Sequence, residues 1–403
     1  MASLLSHLQC PRCGDRTEAD KPHTVCQRCQ GPMYAQYDLA SANLGRGAFG
    51  ARGPTMWRYQ ELLPVRDERN IVTLGEGSTP LLHAAHLGKE LGMTGLLIKD
   101  EGRNPTGTFK ARGMSACVSK NRELGISKFA VPTAGNAGGA LAAYAAAGGC
   151  KAFIACPDDT PLAARIEVHV TGATLRRVPG SIADAARFLQ NEILKDGWFD
   201  VSTMREPYRL EGKKTMGFEI AEALNWSLPD VIIYPTGGGT GLVGIWKAFL
   251  ELEALGFVTA RRPRMVAVQA SGCAPVVKAF ASGHDTCQAW EKPTTVASGL
   301  RVPKPFADRE VLAVLRDSKG TAVAVDDDAI LEAGWELART EGVFACPEGA
   351  AAVAGLKYLR SEGWIDAKES VVVLNTGSGT KYIDAYMHEP KGHSHEPYDQ
   401  TDH

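Results

Sequence analysis

The chain has 403 residues, 44% hydrophobic and 22% charged, with a net charge near −2 at neutral pH. That length supports two or three domains with real cores, and the near-balanced charge argues against electrostatic capture of nucleic acid or of an anionic membrane surface. No apolar run reaches the ~18 residues of a membrane helix, and the start, "MASLLSHLQC", lacks the basic and apolar regions of a secretory leader. A cytoplasmic protein without membrane or nucleic-acid partners is expected. Of the ten cysteines, six are scattered singly, which fits reduced thiols in a cytoplasm. Cys117, Cys150, Cys156 and Cys346 are expected to act as small buried hydrophobes.

The other four form two tight pairs. "CPRC" (Cys10, Cys13) and "CQRC" (Cys26, Cys29) flank twelve residues, a spacing that can wrap four thiolates around a tetrahedral zinc. A zinc-ribbon-like segment is expected over 1–40. The segment has few basic or aromatic residues, so a structural appendage is a better expectation than a nucleic-acid module.

After a Gly-rich loop and an ordered stretch around Trp57 and Tyr59, short apolar runs alternate with amphipathic segments. "GLLIKD" predicts a strand and "FKARGMSACVSKNRELG" a helix. "KFAVPT", "KAFIACP" and "ATLRRVP" predict strands, each followed by a helix: "AGGALAAYAAAGG", "TPLAARIEVHVTG" and "SIADAARFLQNEILKDG". "LEGKKTMGFEIAEALNW" predicts a helix, "DVIIYPTGGG" a strand, "TGLVGIWKAFLELEALG" a helix and "PRMVAVQAS" a strand. "TAVAVDD", "DAILEAGWELARTEG", "PEGAAAVAGLKYLRSEG" and "SVVVLNTGSG" continue the alternation. Repeated strand–helix units with short, wholly apolar strands predict an α/β fold with mostly parallel sheets covered on both faces. The tail, "HEPKGHSHEPYDQTDH", is polar and expected to be mobile.

Four turns fall where chemistry belongs. In open α/β sheets, ligands sit beyond the carboxyl ends of strands. "TAGNAGG", "PTGGGTG" and "NTGSG" all follow predicted strands, and "NPTGTFKARG" carries Lys110 at the mouth of a helix. A lysine there opposes the helix dipole, so the position points to chemistry rather than stability. The glycines of "TGGGTG" let backbone N–H groups at a helix start cradle a phosphate. The same stretch matches G-x-G-x-x-G, but the next strand ends at Gln269 without the acid that grips a ribose, which disfavours a dinucleotide. A lysine near a phosphate cradle points to pyridoxal phosphate.

The ordered set "LGEGSTPLL", "KDEGRNPTGTFKARG", "TAGNAGGALAAYAAAGG", "EPYRLEGKKTMGFEI", "PTGGGTG", "PEGAA" and "NTGSGTKY" resembles the fold-type II pyridoxal-phosphate enzymes, and most closely the threonine synthases. The resemblance runs from about Leu74 to Tyr382. It implies that Lys110 is the Schiff-base lysine and acid/base, that Asn136 contacts the cofactor O3′, and that Gly237, Gly238, Gly239, Thr240 and Gly241 hold the cofactor phosphate. Thr376 then faces the pyridine nitrogen. A hydroxyl cannot hold a proton there as a carboxylate does, which suits elimination and replacement better than transamination. Thr133, Ala134, Gly135 and Ala137 are implied to take the substrate carboxylate. Ser202, Thr203, Arg209 and Lys213 are implied to take a substrate phosphate, Arg209 bidentately. An ordinary surface ion pair is the bland alternative for Arg209.

The implied reaction is conversion of O-phospho-L-homoserine and water to L-threonine and phosphate, by a lyase expected to be a homodimer. Two departures bear on the substrate: Ala111 stands where the family carries an aspartate, and "VSTMRE" replaces the family's Asn-Ser pair. A cysteate synthase acting on phosphoserine, or a serine/threonine dehydratase, keeps nearly the same motifs and is the alternative. The expected architecture is a small α/β domain over 105–205 set against a larger cofactor-binding domain from 41–104 and 206–390. The cofactor lies in the cleft between these three-layer domains, and 391–403 is a mobile tail.

Overall fold

A computed structural model of the chain describes residues 3–387. The tail expected over 391–403 lies outside the described residues, as do 388–390 and the first two residues. The ribbon comes first: β1 (Leu5–Gln9) pairs antiparallel with β2 (Arg16–Glu18) on one side and β3 (Tyr34–Tyr37) on the other. Its two Cys knuckles repeat one backbone pattern. Cys10 N–H donates to Asp15 O at 2.8 Å and Gly14 N–H to Cys10 O at 3.0 Å. Cys26 N–H donates to Gly31 O and Gln30 N–H to Cys26 O, both at 2.9 Å.

Strand and helix then alternate. β4 (Leu81–His83), α1 (Ala85–Glu90) and β5 (Leu96–Asp100) lead into α2 (Lys110–Glu123). β6 (Lys128–Pro132), α3 (Asn136–Ala147), β7 (Lys151–Pro157), α4 (Leu162–Val170), β8 (Thr174–Val178), α5 (Ile182–Phe188) and β9 (Phe199–Asp200) follow. Next come α6 (Tyr208–Ala223), β10 (Val231–Pro235), α7 (Thr240–Ala254), β11 (Arg264–Ala270), α8 (Pro275–Ala281) and α9 (Asp308–Asp317). β12 (Thr321–Val325), α10 (Asp327–Glu341), α11 (Pro347–Ser361), β13 (Val371–Asn375) and α12 (Ile383–Tyr386) close the described chain.

These strands form two further sheets. The larger has the order β12-β11-β10-β13-β5-β4, parallel except for the antiparallel edge strand β4. The smaller, β8-β7-β6-β9, is wholly parallel. Parallel strands must be covered on both faces, and the larger sheet's residues divide accordingly. Ile232, Tyr234, Met265, Ala267, Val372 and Leu374 enter one core. Their neighbours Val231, Ile233, Val266, Val268, Val371 and Val373 enter the core on the opposite face. The period of two along each strand produces this split.

One predicted helix differs. The stretch 181–197 reads as a continuous helix, but α5 ends at Phe188, widens into a π turn over Leu189–Ile193 and tightens to a 3-10 turn. The apolar residues recur five apart there, Phe188 with Ile193 and Leu189 with Leu194. All four join one apolar cluster with Ala130, Ala155 and Ala185, and a wider turn keeps such residues on one face. Of the single cysteines expected inside, Cys117, Cys156 and Cys346 are buried and Cys150 is partly exposed.

Candidate active site

The four turns singled out in the sequence converge. The β5–α2, β10–α7 and β13 turns leave neighbouring strands of the larger sheet, and the β6–α3 turn faces them from the smaller one. Between them lies a cavity of about 820 Å³ lined by Lys110, residues 132–137, Ser202, Thr203, Lys213, residues 237–241, Glu348, Thr376 and Tyr382. Arg209 lies behind this wall, fully buried. The cavity sits at the carboxyl ends of parallel strands, where the fold leaves helix N-termini and unpaired backbone donors.

The 237–241 turn starts α7. Gly239 has φ +77°, a left-handed conformation that favours glycine, and a Cβ there would run into Val311 Cγ2. Gly237, Gly238 and Gly239 thus line the cavity with bare backbone. The hydroxyl of Thr240, at the helix start, is buried with no hydrogen-bond partner. Such an orphaned donor beside a helix N-terminus fits a phosphate ester.

Lys110 opens α2 on the opposite side. It is half-buried, and its ammonium lies 3.8 Å from the centre of the Phe109 ring. Burial, with the Arg209 charge next, brings its pKa down to about 8, against the pull of Glu348. A lysine near 8 keeps an appreciable neutral amine at physiological pH, as a nucleophile or base requires. Phe109 N–H donates to the Thr376 carbonyl at 3.1 Å, so the lysine turn and the Thr376 turn are tied to each other. Thr376 itself is buried and lines the cavity.

Arg209 and Lys213 add two more cations. Arg209 donates through Nη1 to the Val201 carbonyl at 2.5 Å, while its Nε and Nη2 have no partner. Burial, then Arg209 and Lys110, push the Lys213 ammonium well below its usual range. Among the described residues no carboxylate pairs with any of the three, although each is buried or half-buried. Ser202 Oγ is held by the Asp200 carboxylate, and Thr203 packs beneath Gly238.

The β6–α3 turn presents Thr133 to Ala137. Thr133 Oγ1 accepts from Gly135 N–H at 2.9 Å. Asn136 Nδ2 donates to Tyr382 Oη at 2.6 Å, and Tyr382 Oη donates to Glu348 Oε1 at 3.0 Å. Glu348 Oε1 also accepts from Gly299 N–H at 2.6 Å, and its Oε2 has no partner. Sequence reasoning missed Tyr382 and Glu348 as individual residues, although both lie in quoted motifs. A glutamate in the first turn of a helix reads as a partner of the helix dipole, which hides any other role.

The departure at Ala111 leaves Arg112 well held. Its guanidinium bonds Glu101 at 2.6 and 2.8 Å and Glu219 at 2.6 and 2.7 Å, and takes in the Thr79 and Thr215 hydroxyls at 3.0 Å. Lys99 joins Glu219 at 2.6 Å. Burial works to raise the Glu219 carboxyl, but Arg112 and Lys99 hold it well below the usual carboxylate range.

Away from the cavity, the Sγ atoms of Cys10, Cys13, Cys26 and Cys29 all lie within 4.8 Å of one another. Cys10–Cys29 is 3.3 Å and Cys13–Cys26 is 3.6 Å. Zn–S bonds of ~2.3 Å in a tetrahedron give S–S edges of roughly 3.8 Å, so four thiolates so placed fit a zinc ion. No described helix is long and apolar enough to cross a membrane.

Residues 72–377 match the family described as pyridoxal-phosphate dependent enzyme. The chain is 37% identical over 380 residues to the threonine synthase of Methanocaldococcus jannaschii, covering 94% of this chain and 93% of that one. It is 37% identical over 372 residues to the threonine synthase of Methanosarcina acetivorans, with 92% and 91% covered. A threonine synthase of Mycobacterium bovis is 33% identical, with 85% and 92% covered. Among solved structures, maize serine racemase superposes with a TM-score of 0.65 at 23% identity, covering 76% of this chain and 91% of that one. The processed threonine deaminase isoform 2 of Solanum lycopersicum gives 0.65 at 21% identity, with 85% and 98% covered. These two likenesses speak for the α/β fold of type II. With the match over 72–377 and relatives aligned along nearly their whole length, the chain belongs to the pyridoxal-phosphate-dependent enzymes, in the threonine synthase family.

Proposed function

We propose that the protein converts O-phospho-L-homoserine and water to L-threonine and phosphate. One observation carries the substrate class: Lys110, Arg209 and Lys213 converge without a carboxylate partner, and Arg209 keeps two buried donors free. Buried cations left unpaired await an anion. When bound, pyridoxal phosphate supplies an electron-withdrawing ring joined to the substrate amine, which acidifies the α C–H.

The chain's own residues do the rest. Lys110 tethers the cofactor between turnovers, then moves protons at the α- and β-carbons as a free amine. Residues 237–241 would hold the cofactor phosphate, Thr376 the ring nitrogen and Asn136 the O3′ oxygen. The backbone N–H groups of Thr133–Ala137 take the substrate carboxylate. Arg209 and Lys213, with Ser202 and Thr203, neutralise the departing phosphate. Segment 105–205 acts as the smaller lobe and the flanking segments 41–104 and 206–390 as the larger. Lys381–Glu167 at 2.6 Å and Arg301–Asp159 at 2.7 Å latch segment to segment across the cleft. The same proposal takes the protein as a cytoplasmic homodimer with zinc in its ribbon and no nucleic-acid or membrane partner.

The test is a panel of phosphorylated and plain amino acids, read by product mass and phosphate release. Threonine and phosphate should appear together from O-phosphohomoserine. Turnover of phosphoserine or serine, with phosphohomoserine inert, would show a cysteate-synthase-like or dehydratase activity instead. Lys110→Ala should abolish the borohydride-sensitive visible band and lower turnover by at least about a thousandfold.

A further inference from the structure

The ribbon is built into the wall of the cleft. Arg12, between the two cysteines of the first knuckle, projects out of the ribbon and grips the start of α9. Its Nε donates to Glu310 Oε1 at 2.7 Å, and its Nη2 to Glu310 Oε2 and the Phe306 carbonyl, both at 2.9 Å. The second knuckle makes room for it: a Cβ on Gly31 would meet Arg12 Cδ at 2.7 Å. The residue after Glu310 is Val311, whose Cγ2 occupies the space beside Gly239. The path runs from the thiolates through Arg12 and Glu310 to Val311 and the 237–241 turn. A second path leaves the ribbon's own core. Tyr208 is packed among Leu8, Cys10, Cys26 and Ala35, and its hydroxyl donates to the Ala19 carbonyl at 3.2 Å. The next residue is Arg209. Both the phosphate-facing turn and the free guanidinium are thus backed by ribbon contacts.

Taking the cleft as the cofactor site, as the proposed function does, we infer that the four-cysteine metal site sets the geometry of the cleft, with Arg12 as the positioning residue. Zinc fixes the distance between the two knuckles, and so the angle at which Arg12 leaves the ribbon. Arg12, a planar two-pronged donor that lysine cannot replace, carries that angle to Glu310 and the Phe306 carbonyl. Loss of metal frees the first knuckle and lets α9 retreat from Gly239.

The experiment compares full-length wild type, Arg12→Met, Arg12→Lys and chelator-treated wild type for zinc content, pyridoxal phosphate dissociation constant and amide hydrogen exchange. Wild type should hold one zinc. Arg12→Met should keep it, yet bind pyridoxal phosphate about tenfold more weakly and exchange at 306–311 and 237–241 at least about tenfold faster. Zinc removal should reproduce both changes, and Arg12→Lys should restore only part. Unchanged cofactor affinity and protection in both the Met variant and the zinc-free protein would overturn the inference, as would a ribbon that binds no zinc. If the variant does not fold, the chelator arm decides alone. Failure of wild type itself to bind pyridoxal phosphate would instead remove the function on which the inference stands.

Discussion

Two buried basic clusters sit side by side on the same pair of helices, and they are built on opposite terms. Arg112, two residues along α2 from Lys110, meets Glu101 and Glu219, while Lys99 meets Glu219 again. Every charge there has a partner. Half-buried Lys110 and the buried Arg209 and Lys213 have no carboxylate partner among the described residues, with Arg209 holding two donors unused. A buried ion pair that is complete is locked in place by the cost of breaking it. An incomplete one raises the energy of the empty site and lowers it again when an anion arrives. The difference separates charges that hold the helices together from charges that have been left without an anion.

Exchanging the two clusters' properties tests this contrast. Arg112→Met leaves buried Glu101 without a cation and Glu219 with Lys99 alone, and should lose about 3–5 kcal/mol in denaturant unfolding. A loss under roughly 1 kcal/mol would mean that the network contributes little. Lys110→Met in the apoprotein should do the reverse. Its folded pKa of about 8 lies below the usual lysine value of 10.5, so between those values the unfolded chain binds more protons. Stability of the wild-type apoprotein therefore rises with pH across that window, and below it the lysine destabilises by about 3 kcal/mol. The variant should be more stable by about that much at pH 7 and should show a shallower slope, the remainder coming from Lys213, whose ammonium is also held below its usual range. A flat wild-type profile from pH 8 to 10.5 would contradict the assignment.

Arg209→Met should leave unfolding within about 1 kcal/mol of wild type while raising KM for the phosphorylated substrate by roughly 10- to 100-fold, the value of hydrogen bonds to a charged group. A large stability loss with unchanged KM would move Arg209 into the structural class. The smallest effect belongs to Tyr382→Phe. Its hydroxyl bonds Asn136 and the Glu348 carboxylate, both of them protein groups, so its loss should change the pyridoxal phosphate dissociation constant by only about fivefold or less.

The larger sheet and the Gly-rich turns are legible in the sequence because fully buried parallel strands read as unbroken apolar runs such as "VIIYP" and "VVVLN". β4 and β9 are not, since three and two residues leave no run to see. α9 carries a usable signal, with Val311, Leu312, Val314 and Leu315 on its buried face. It lies in the 271–320 crossover, where no strand marks its limits. The turns that line the cavity follow from pattern and resemblance together. Glu348 and Tyr382 do not, because their roles depend on a hydrogen bond to Asn136, 246 positions away in sequence from Tyr382. Arg12 is further still from legibility: its partner Glu310 is 298 positions away, and an arginine inside a Cys knuckle looks like any exposed ribbon residue.

The pairing of β13 with β5, in register from Val371 opposite Leu96 to Asn375 opposite Asp100, has a consequence for biosynthesis. Lys110 leaves the ribosome on the order of half a minute before Thr376 does. Throughout that interval the nascent chain carries Lys110 without the completed burial that lowers its pKa. The cavity that Lys110 and Thr376 line together is therefore completed only when β13, the last central strand of the larger sheet, has inserted.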